Sequence, residues 1–200
     1  MGCSSSPSPE SAQPPPAAAT EPSLPTIVSG ADDSVGAVPG SPDALSRFRF
    51  RQIDPPSDRF NFQDRDLSFY FKPAPDALHL QVENRQNRPV WIDWDRSVFY
   101  DSDGTIGKVA HSTTRWADRF QAQTKTQIAG LQRVSDFVFN FEDLLDPAGA
   151  PEQLHRQLLP EDQTAPLYAD RSFGVDLAFL VEDKPRSYSF RFKVVSVIPR

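Results

Sequence analysis

The feature that most constrains the fold of this chain is the alternation of apolar and polar residues, which begins near Phe48. Successive side chains of a β-strand point to opposite faces of a sheet, so a period of two predicts strands with one buried face. The clearest runs are residues 47–51, 77–82, 90–94, 136–141, 173–181 and 187–195. The last two flank a short polar turn at residues 182–186, and we expect them to form a closing hairpin.

These runs predict an all-β fold, an antiparallel β-sandwich of the immunoglobulin-like class with one short helix. The helix is predicted at residues 151–159, where Pro151 suits a first helical position and Leu154 and Leu158 are four apart. Residues 143–172 are too long for an ordinary hairpin loop. We expect this excursion to cover an exposed sheet edge, with ligand binding as the alternative.

The first part of the chain has a composition that does not support folding. Nine of the 20 prolines precede Ala44, and Phe, Tyr, Trp, Lys and Arg are absent there. Such a segment buries too little apolar surface to offset its chain entropy. The sequence therefore predicts a disordered tether at residues 1–43 and a β-sandwich domain at residues 44–200.

The charge of the chain argues against nucleic-acid binding. Five acidic residues of the tether account for most of the net charge of −6, which leaves the domain near neutral. No run of basic residues is present, although such a run is typical of proteins that bind nucleic acids. We expect no nucleic-acid partner and no cofactor.

The sole cysteine, Cys3, lies beside Gly2 in the opening MGCSSS. One interpretation is bacterial: Gly-Cys ends a lipobox, an upstream signal peptide is cut, and Cys3 carries the acyl chains. The other is eukaryotic: residues 1–6 fit the N-myristoylation pattern, with Gly2 myristoylated and Cys3 carrying palmitate. Both interpretations predict a lipid anchor at this end, and an unmodified thiol is the third possibility.

A 30-residue stretch at positions 82–111, VENRQNRPVWIDWDRSVFYDSDGTIGKVAH, resembles small bacterial lipoproteins with a single immunoglobulin-like β-sandwich domain. Shared features are a strand that ends in Asn, a strand with an apolar-Asp-Trp core, and a following hairpin with Phe, Asp and Gly. The closing YSFRFKV at positions 188–194 is similar as well. The resemblance implies this fold and a place on a membrane, and it implies no catalytic residue.

Few residues suggest chemistry. Asp101 and Asp103 resemble the start of a calcium loop, but Asp-Gly is equally typical of a hairpin turn. We therefore expect no metal site, with these two aspartates as a weak candidate. His79, His111 and His155 lack metal-site spacing, and we expect chance surface or half-buried positions for them. Trp94 shares a face with core residues. Trp91, Trp116, Arg115 and Arg119 form a possible interaction surface, since aromatic residues beside Arg are frequent at interfaces.

Together these features predict a lipid-anchored, non-enzymatic binding or assembly module on a bacterial outer membrane or cell surface. Its domain would lie in the periplasm or outside, with another envelope protein as its partner. The alternatives are a dual-acylated eukaryotic adaptor and a metal- or carbohydrate-dependent hydrolase on the same scaffold.

Overall fold

The computed structural model describes Met1 and residues 45–149 and 153–199, and those from 45 onward belong to one compact unit. Cys3, Gly2 and the rest of the predicted tether lie outside the described residues. In the described ranges the chain forms thirteen β-strands: β1 (Ser46–Asp54), β2 (Pro56–Ser57), β3 (Asn61–Gln63), β4 (Leu67–Pro73), β5 (Leu78–Asn84), β6 (Val90–Tyr100), β7 (Ile106–His111), β8 (Thr126–Ile128), β9 (Arg133–Asn140), β10 (Leu144–Leu145), β11 (Leu154–His155), β12 (Ser172–Val181) and β13 (Lys184–Pro199). Three short 3-10 helices lie at Trp116–Asp118, Phe141–Asp143 and Ala165–Tyr168.

The main strands form two antiparallel sheets joined through β7. The hydrogen-bonded order is β2-β1-β13-β12-β6-β7-β9-β5-β4-β3, with β8 also paired to β6. The first half of β7 pairs with β6, and Val109, Ala110 and His111 in its second half pair with β9. We call the layer from β2 to β6 the first sheet and the layer from β9 to β3 the second sheet. The predicted all-β antiparallel sandwich is confirmed.

Aromatic side chains fill the space between the sheets. The ring of Phe71 on β4 lies 4.5 Å from that of Phe190 and 5.2 Å from that of Phe192, both on β13. Phe69 contacts the ring of Phe179 on β12 at 5.7 Å. These residues are all about 1% exposed or less, as is Trp94, which confirms its predicted core position.

A group of polar contacts also joins the sheets, between β13 and the turn that connects β3 to β4. Arg186 and Gln86 both donate hydrogen bonds to the buried carboxylate of Asp66. The Tyr188 hydroxyl donates to Asp64 Oδ2 at 2.8 Å. Burial, followed by this hydrogen bond to a carboxylate, raises the pKa of Tyr188 to about 12. We call the side chains of Asp64, Asp66, Gln86, Arg186 and Tyr188 the polar clasp.

The closing hairpin is confirmed, with a shorter turn than the sequence suggested. Strands β12 and β13 are joined by Glu182 and Asp183 alone, at φ values of 50° and 60°. Positive φ at both central residues is the backbone of a type I′ turn, whose twist matches that of the strands. Lys184 and Pro185 already belong to β13. Proline has no backbone N–H to donate, and this part of β13 does not pair with β1, so no hydrogen bond between these two strands is lost.

The helix predicted at residues 151–159 is wrong. Leu154 and His155 form β11, which pairs with β10 in a small hairpin, and Pro151 and Glu152 lie outside the described residues. A nine-residue helix is marginal by itself, so tertiary contacts decide the conformation. Here the His155 ring stacks on Phe139 at 4.0 Å, and Leu159 is fully buried in the main core.

The described part of the long excursion closes one end of the sandwich. Leu158, Leu159 and Ala165 are buried in the main core. The excursion is fixed by hydrogen bonds from Leu159 N to Pro75 O at 2.9 Å and from Ser102 Oγ to Leu158 O at 3.2 Å. The segment therefore acts as structural cover, although it covers an end of the sandwich and not an edge.

The aromatic layer yields a test of stability. Phe69→Ala should destabilise the domain by about 3–5 kcal/mol, since deletion of a buried ring loses its transfer free energy and leaves a cavity. Phe69→Leu, which keeps more of the volume, should cost less. Urea unfolding measures both. Phe120→Ala is the matched control, because Phe120 is 88% exposed and its truncation should change stability little. Equal losses at the two positions would contradict this packing.

Candidate interaction site

The loop between β7 and β8 carries an aromatic cluster that stands out from the rest of the surface. Its base is held by Thr114, whose hydroxyl accepts from His111 N at 2.9 Å and donates to Gln123 Oε1 at 2.8 Å. Gln123 Nε2 in turn donates to Val109 O at 2.8 Å, and Gln123 N donates to Asp95 Oδ2. Both ends of the loop are thus tied to strands, so its tip has a defined position.

At the tip, the Arg119 guanidinium lies against two aromatic rings. Its central carbon is 4.2 Å from the Trp116 ring centre and 4.5 Å from the Phe120 ring centre. Arg119 Nη1 also donates to Trp116 O at 2.8 Å. Each cation–π contact at an exposed position is worth about 0.5–1 kcal/mol. We call Trp116, Arg119 and Phe120 the aromatic-arginine stack.

The stack is anchored on one side and open on the other. Trp116 is half-buried, packs against a small cluster that contains Ala110 and Phe139, and donates from its backbone N to Gln153 Oε1 at 2.7 Å. Phe120 is 88% exposed. Phe120 thus leaves most of a large apolar ring in contact with water, next to the Arg119 guanidinium. Trp116 is therefore the fixed base of the stack, and Phe120 is its exposed end.

The structure brings together three of the four residues predicted for an interaction surface. Arg115, Trp116 and Arg119 lie on the same loop, with Arg115 exposed. Trp91 lies elsewhere, half-buried on the outward face of the first sheet with Leu180 and Gln127 as strand partners. Sequence analysis missed Phe120, since a Phe beside a charged residue is equally typical of a half-buried strand. The sequence feature that could have identified Phe120 is its position in a polar stretch that lacks the alternation of apolar and polar residues typical of a strand.

The three histidines have separate structural environments. His111 is 5% exposed, stacks on Trp94 at 4.3 Å, and its Nδ1 lies 3.2 Å from Asp136 Oδ2. Burial acts to raise the pKa of Asp136, but hydrogen bonds from His111 and Ser112 outweigh it and lower that pKa. His79 pairs with Asp76, and His155 stacks on Phe139. His111 and Asp136 therefore form a buried pair, and nothing in the sequence indicates that these two residues are in contact.

Asp101 and Asp103 shape the turn between β6 and β7. Asp101 Oδ1 accepts from Ser102 N, and Asp103 Oδ1 accepts from Thr105 N, both at 2.7 Å. Gly104 follows with a φ of 94°, which suits the turn. In the described part of the chain, no group of three or more His, Cys, Asp or Glu side chains is arranged to hold a metal ion. The contacts of both aspartates are those of a hairpin turn.

Asp101 faces a second carboxyl group, that of Asp143 at the base of the excursion. Burial, and then the negative charge of Asp101, raise the pKa of Asp143 to about 7, while the charge of Arg156 opposes the shift. The pKa of Asp101 is raised as well, chiefly by burial. Two carboxyl groups in this position are stable when one of them holds a proton.

Comparison with known proteins finds no matching family model, no similar curated protein and no similar solved structure. The fold is an all-β, two-sheet sandwich, and its β7–β8 loop carries the aromatic-arginine stack. None of the helices in the described ranges is long and apolar enough to cross a membrane.

The carboxyl pair predicts a pH dependence of stability. The folded-state pKa of Asp143 is about 7 against an ordinary value of 3.8, so the folded protein holds a proton that the unfolded chain releases. The stabilisation is complete below about pH 4 and is lost as pH rises towards 7. Asp143→Asn removes this titration and should raise the melting temperature more at pH 8 than at pH 5, because much of the stabilisation is lost between those two values.

Thermal unfolding at the two pH values measures this effect. Asp58→Asn, at an exposed position, is the control for loss of one negative charge and should leave the difference between the two pH values as in wild type. If Asp143→Asn raises the melting temperature above that of wild type by the same amount at both pH values, the two carboxyl groups do not share a proton.

Proposed function

We infer that this protein is a lipid-anchored envelope lipoprotein whose β-sandwich is a non-enzymatic binding or assembly module. The observation that carries the binding half is the aromatic-arginine stack. Trp, Tyr and Arg dominate the energetics of protein interfaces, and a rigid loop presents its side chains at a low entropic cost. The exposed ring of Phe120 beside Arg119 is the contact expected to enter a pocket of the partner.

The anchoring half rests on the sequence at the N-terminus. Cys3 follows Gly2 and precedes three serines, and a proline-rich segment of some 40 residues separates it from Ser46 at the start of β1. The composition of this segment predicts a disordered tether, and a flexible coil of that length would span on the order of 35–40 Å. This reach suits a domain that meets a partner away from the membrane surface, in the periplasm or outside the cell.

A second candidate is favoured by Gly2 and Ser6, which fit the pattern of N-myristoylation. In that case the protein is a dual-acylated, membrane-associated adaptor. One myristoyl chain anchors only weakly, so Cys3 would carry the second acyl chain. The two candidates share the binding module and differ in the residue on which the anchor depends.

Two substitutions at the N-terminus separate these candidates. Cys3→Ala, expressed in the native host from the full natural gene, should move the protein from the membrane pellet to the supernatant. Each buried methylene of an acyl chain contributes about 0.8 kcal/mol, so the loss of the chains removes most of the membrane affinity. Gly2→Ala should be tolerated by a bacterial lipoprotein and should release a myristoylated one. Cell fractionation with immunoblotting measures both. A Cys3→Ala protein that stays in the pellet after a wash with about 0.5 M salt, with its domain intact, would refute the anchor, because salt removes electrostatic attachment but not an acyl chain.

The binding site is tested by site-specific photo-crosslinking in the native host. A photoreactive phenylalanine analogue at position 120 should give one adduct of defined mass, and Arg119→Ala should reduce it at least tenfold, as expected for a residue at the centre of an interface. The same analogue at position 167 is the control, since Leu167 is 71% exposed on a different loop. The same adduct from both positions, or none from position 120, would argue against this site.

A further inference from the structure

Strand β1 presents a row of cationic and apolar side chains to solvent. Its outward residues are Leu45 just before the strand, then Arg47, Arg49, Arg51 and Ile53, all exposed. The inward residues Phe48 and Phe50 are 1% exposed and packed in the main core. Because the two phenylalanines fix the strand, the three arginines lie on its solvent-facing side.

The neighbouring strand extends this surface. Arg51 has Lys193 of β13 as its Cα partner, and Val195 nearby is 39% exposed. Lys193 pairs with Asp170 at 2.9 Å, and Arg191 pairs with Asp176 at 2.8 Å, so these two charges are balanced. We call Leu45, Arg47, Arg49, Arg51, Ile53 and Val195 the β1 face.

The three arginines of the β1 face carry an uncompensated positive charge. Within residues 45–149 and 153–199, no carboxylate pairs with Arg47, Arg49 or Arg51. The rest of the domain is acidic, since residues 44–200 hold 22 Asp and Glu against 21 Lys and Arg, and three of those cations are the arginines of the β1 face. The β1 face is therefore a local cationic area on a molecule whose average charge is not cationic.

The position of the β1 face along the chain suggests what covers it. Only Gln52 and Ile53 at the end of β1 pair with β2, so the first part of the strand lies at an edge of the sheet. The chain enters the domain at this strand, so the β1 face is the part of the domain that follows the proposed anchor at Cys3 most closely. Aliphatic side chains among arginines suit the boundary between headgroups and acyl chains of a membrane.

We propose that the β1 face docks on the anionic phospholipid headgroups of the membrane to which the protein is anchored. Guanidinium groups bind phosphate oxygens through paired hydrogen bonds, and the exposed aliphatic residues enter the headgroup layer. This inference rests on the proposed function, since the acyl anchor supplies the membrane at high local concentration. The domain then has two positions, one docked on the lipid surface and one extended on its tether.

Binding to vesicles tests the docking without the anchor. The full-length chain with Cys3→Ser carries no acyl group, and its partition onto phosphatidylcholine vesicles that contain about one third phosphatidylglycerol is measured by co-sedimentation. One Arg near an anionic surface contributes about a fivefold increase in partition, so Arg47→Gln, Arg49→Gln and Arg51→Gln together should lower it roughly 100-fold. Salt raised to about 0.5 M should also abolish binding, because it shortens the screening length.

The matched control removes three cations from the second sheet and its loops by Arg65→Gln, Lys72→Gln and Arg133→Gln, all exposed. Its net charge equals that of the β1 variant, and its vesicle binding should stay close to wild type. Circular dichroism and thermal unfolding confirm that both variants are folded.

Three results would overturn the docking. The first is equal binding to neutral and anionic vesicles, and the second is an equal loss of binding in the control variant. The third is binding that occurs only after the five acidic residues of the N-terminal segment are neutralised, namely Glu10, Glu21, Asp32, Asp33 and Asp43. That result would make the acidic segment the occupant of the β1 face. Since the vesicle assay uses a chain without acyl groups, it can succeed even where Cys3→Ala leaves the protein in the membrane pellet. Failure of the docking and failure of the anchor are thus distinguishable.

Discussion

The contact of Phe69 and Phe71 with the aromatic residues of β12 and β13 is the interaction on which the rest of this structure depends. The two rings belong to the second sheet, and Phe179, Phe190 and Phe192 belong to the first. Among the described strands, the two sheets are joined by strand pairing only through β7, so side chains hold the other side of the sandwich together. The aromatic layer supplies the buried apolar area that holds the two sheets together, and the hydrogen bonds of the polar clasp fix how β13 sits against the β3–β4 turn.

The loops build on this rigid base in two different ways. The excursion inserts Leu158 and Leu159 into the end of the core, so it is part of the fold. The β7–β8 loop does the opposite, since it uses Thr114 and Gln123 for its own support and directs Phe120 to solvent. A loop that is ordered yet contributes little to the core can present an aromatic ring without endangering the stability of the domain.

The sequence predicted what depends on local pattern. Alternation identified the strands, and the two-strand closing hairpin followed from a short polar turn. The helix at residues 151–159 failed because its few apolar residues are used in contacts with Phe139 and the core, which no local pattern encodes. The pairing of His111 with Asp136 joins residues on two different strands, so it depended on the register of β7 and β9. Arg115, Trp116 and Arg119 share one loop because they are close in sequence, whereas Trp91 lies on β6, and only the strand topology shows that separation.

The alternation of Arg47, Phe48, Arg49, Phe50 and Arg51 also has a consequence for the chain before it has folded. Phe48 and Phe50 are buried only once β1 has paired with β13, the last of the described strands to be synthesised. Until then an apolar, strand-forming segment is open to pairing with another copy. Arginines at every second position repel a like strand and keep such segments from aggregating. The same three charges thus protect the newly made chain during the interval in which its first strand waits for its last.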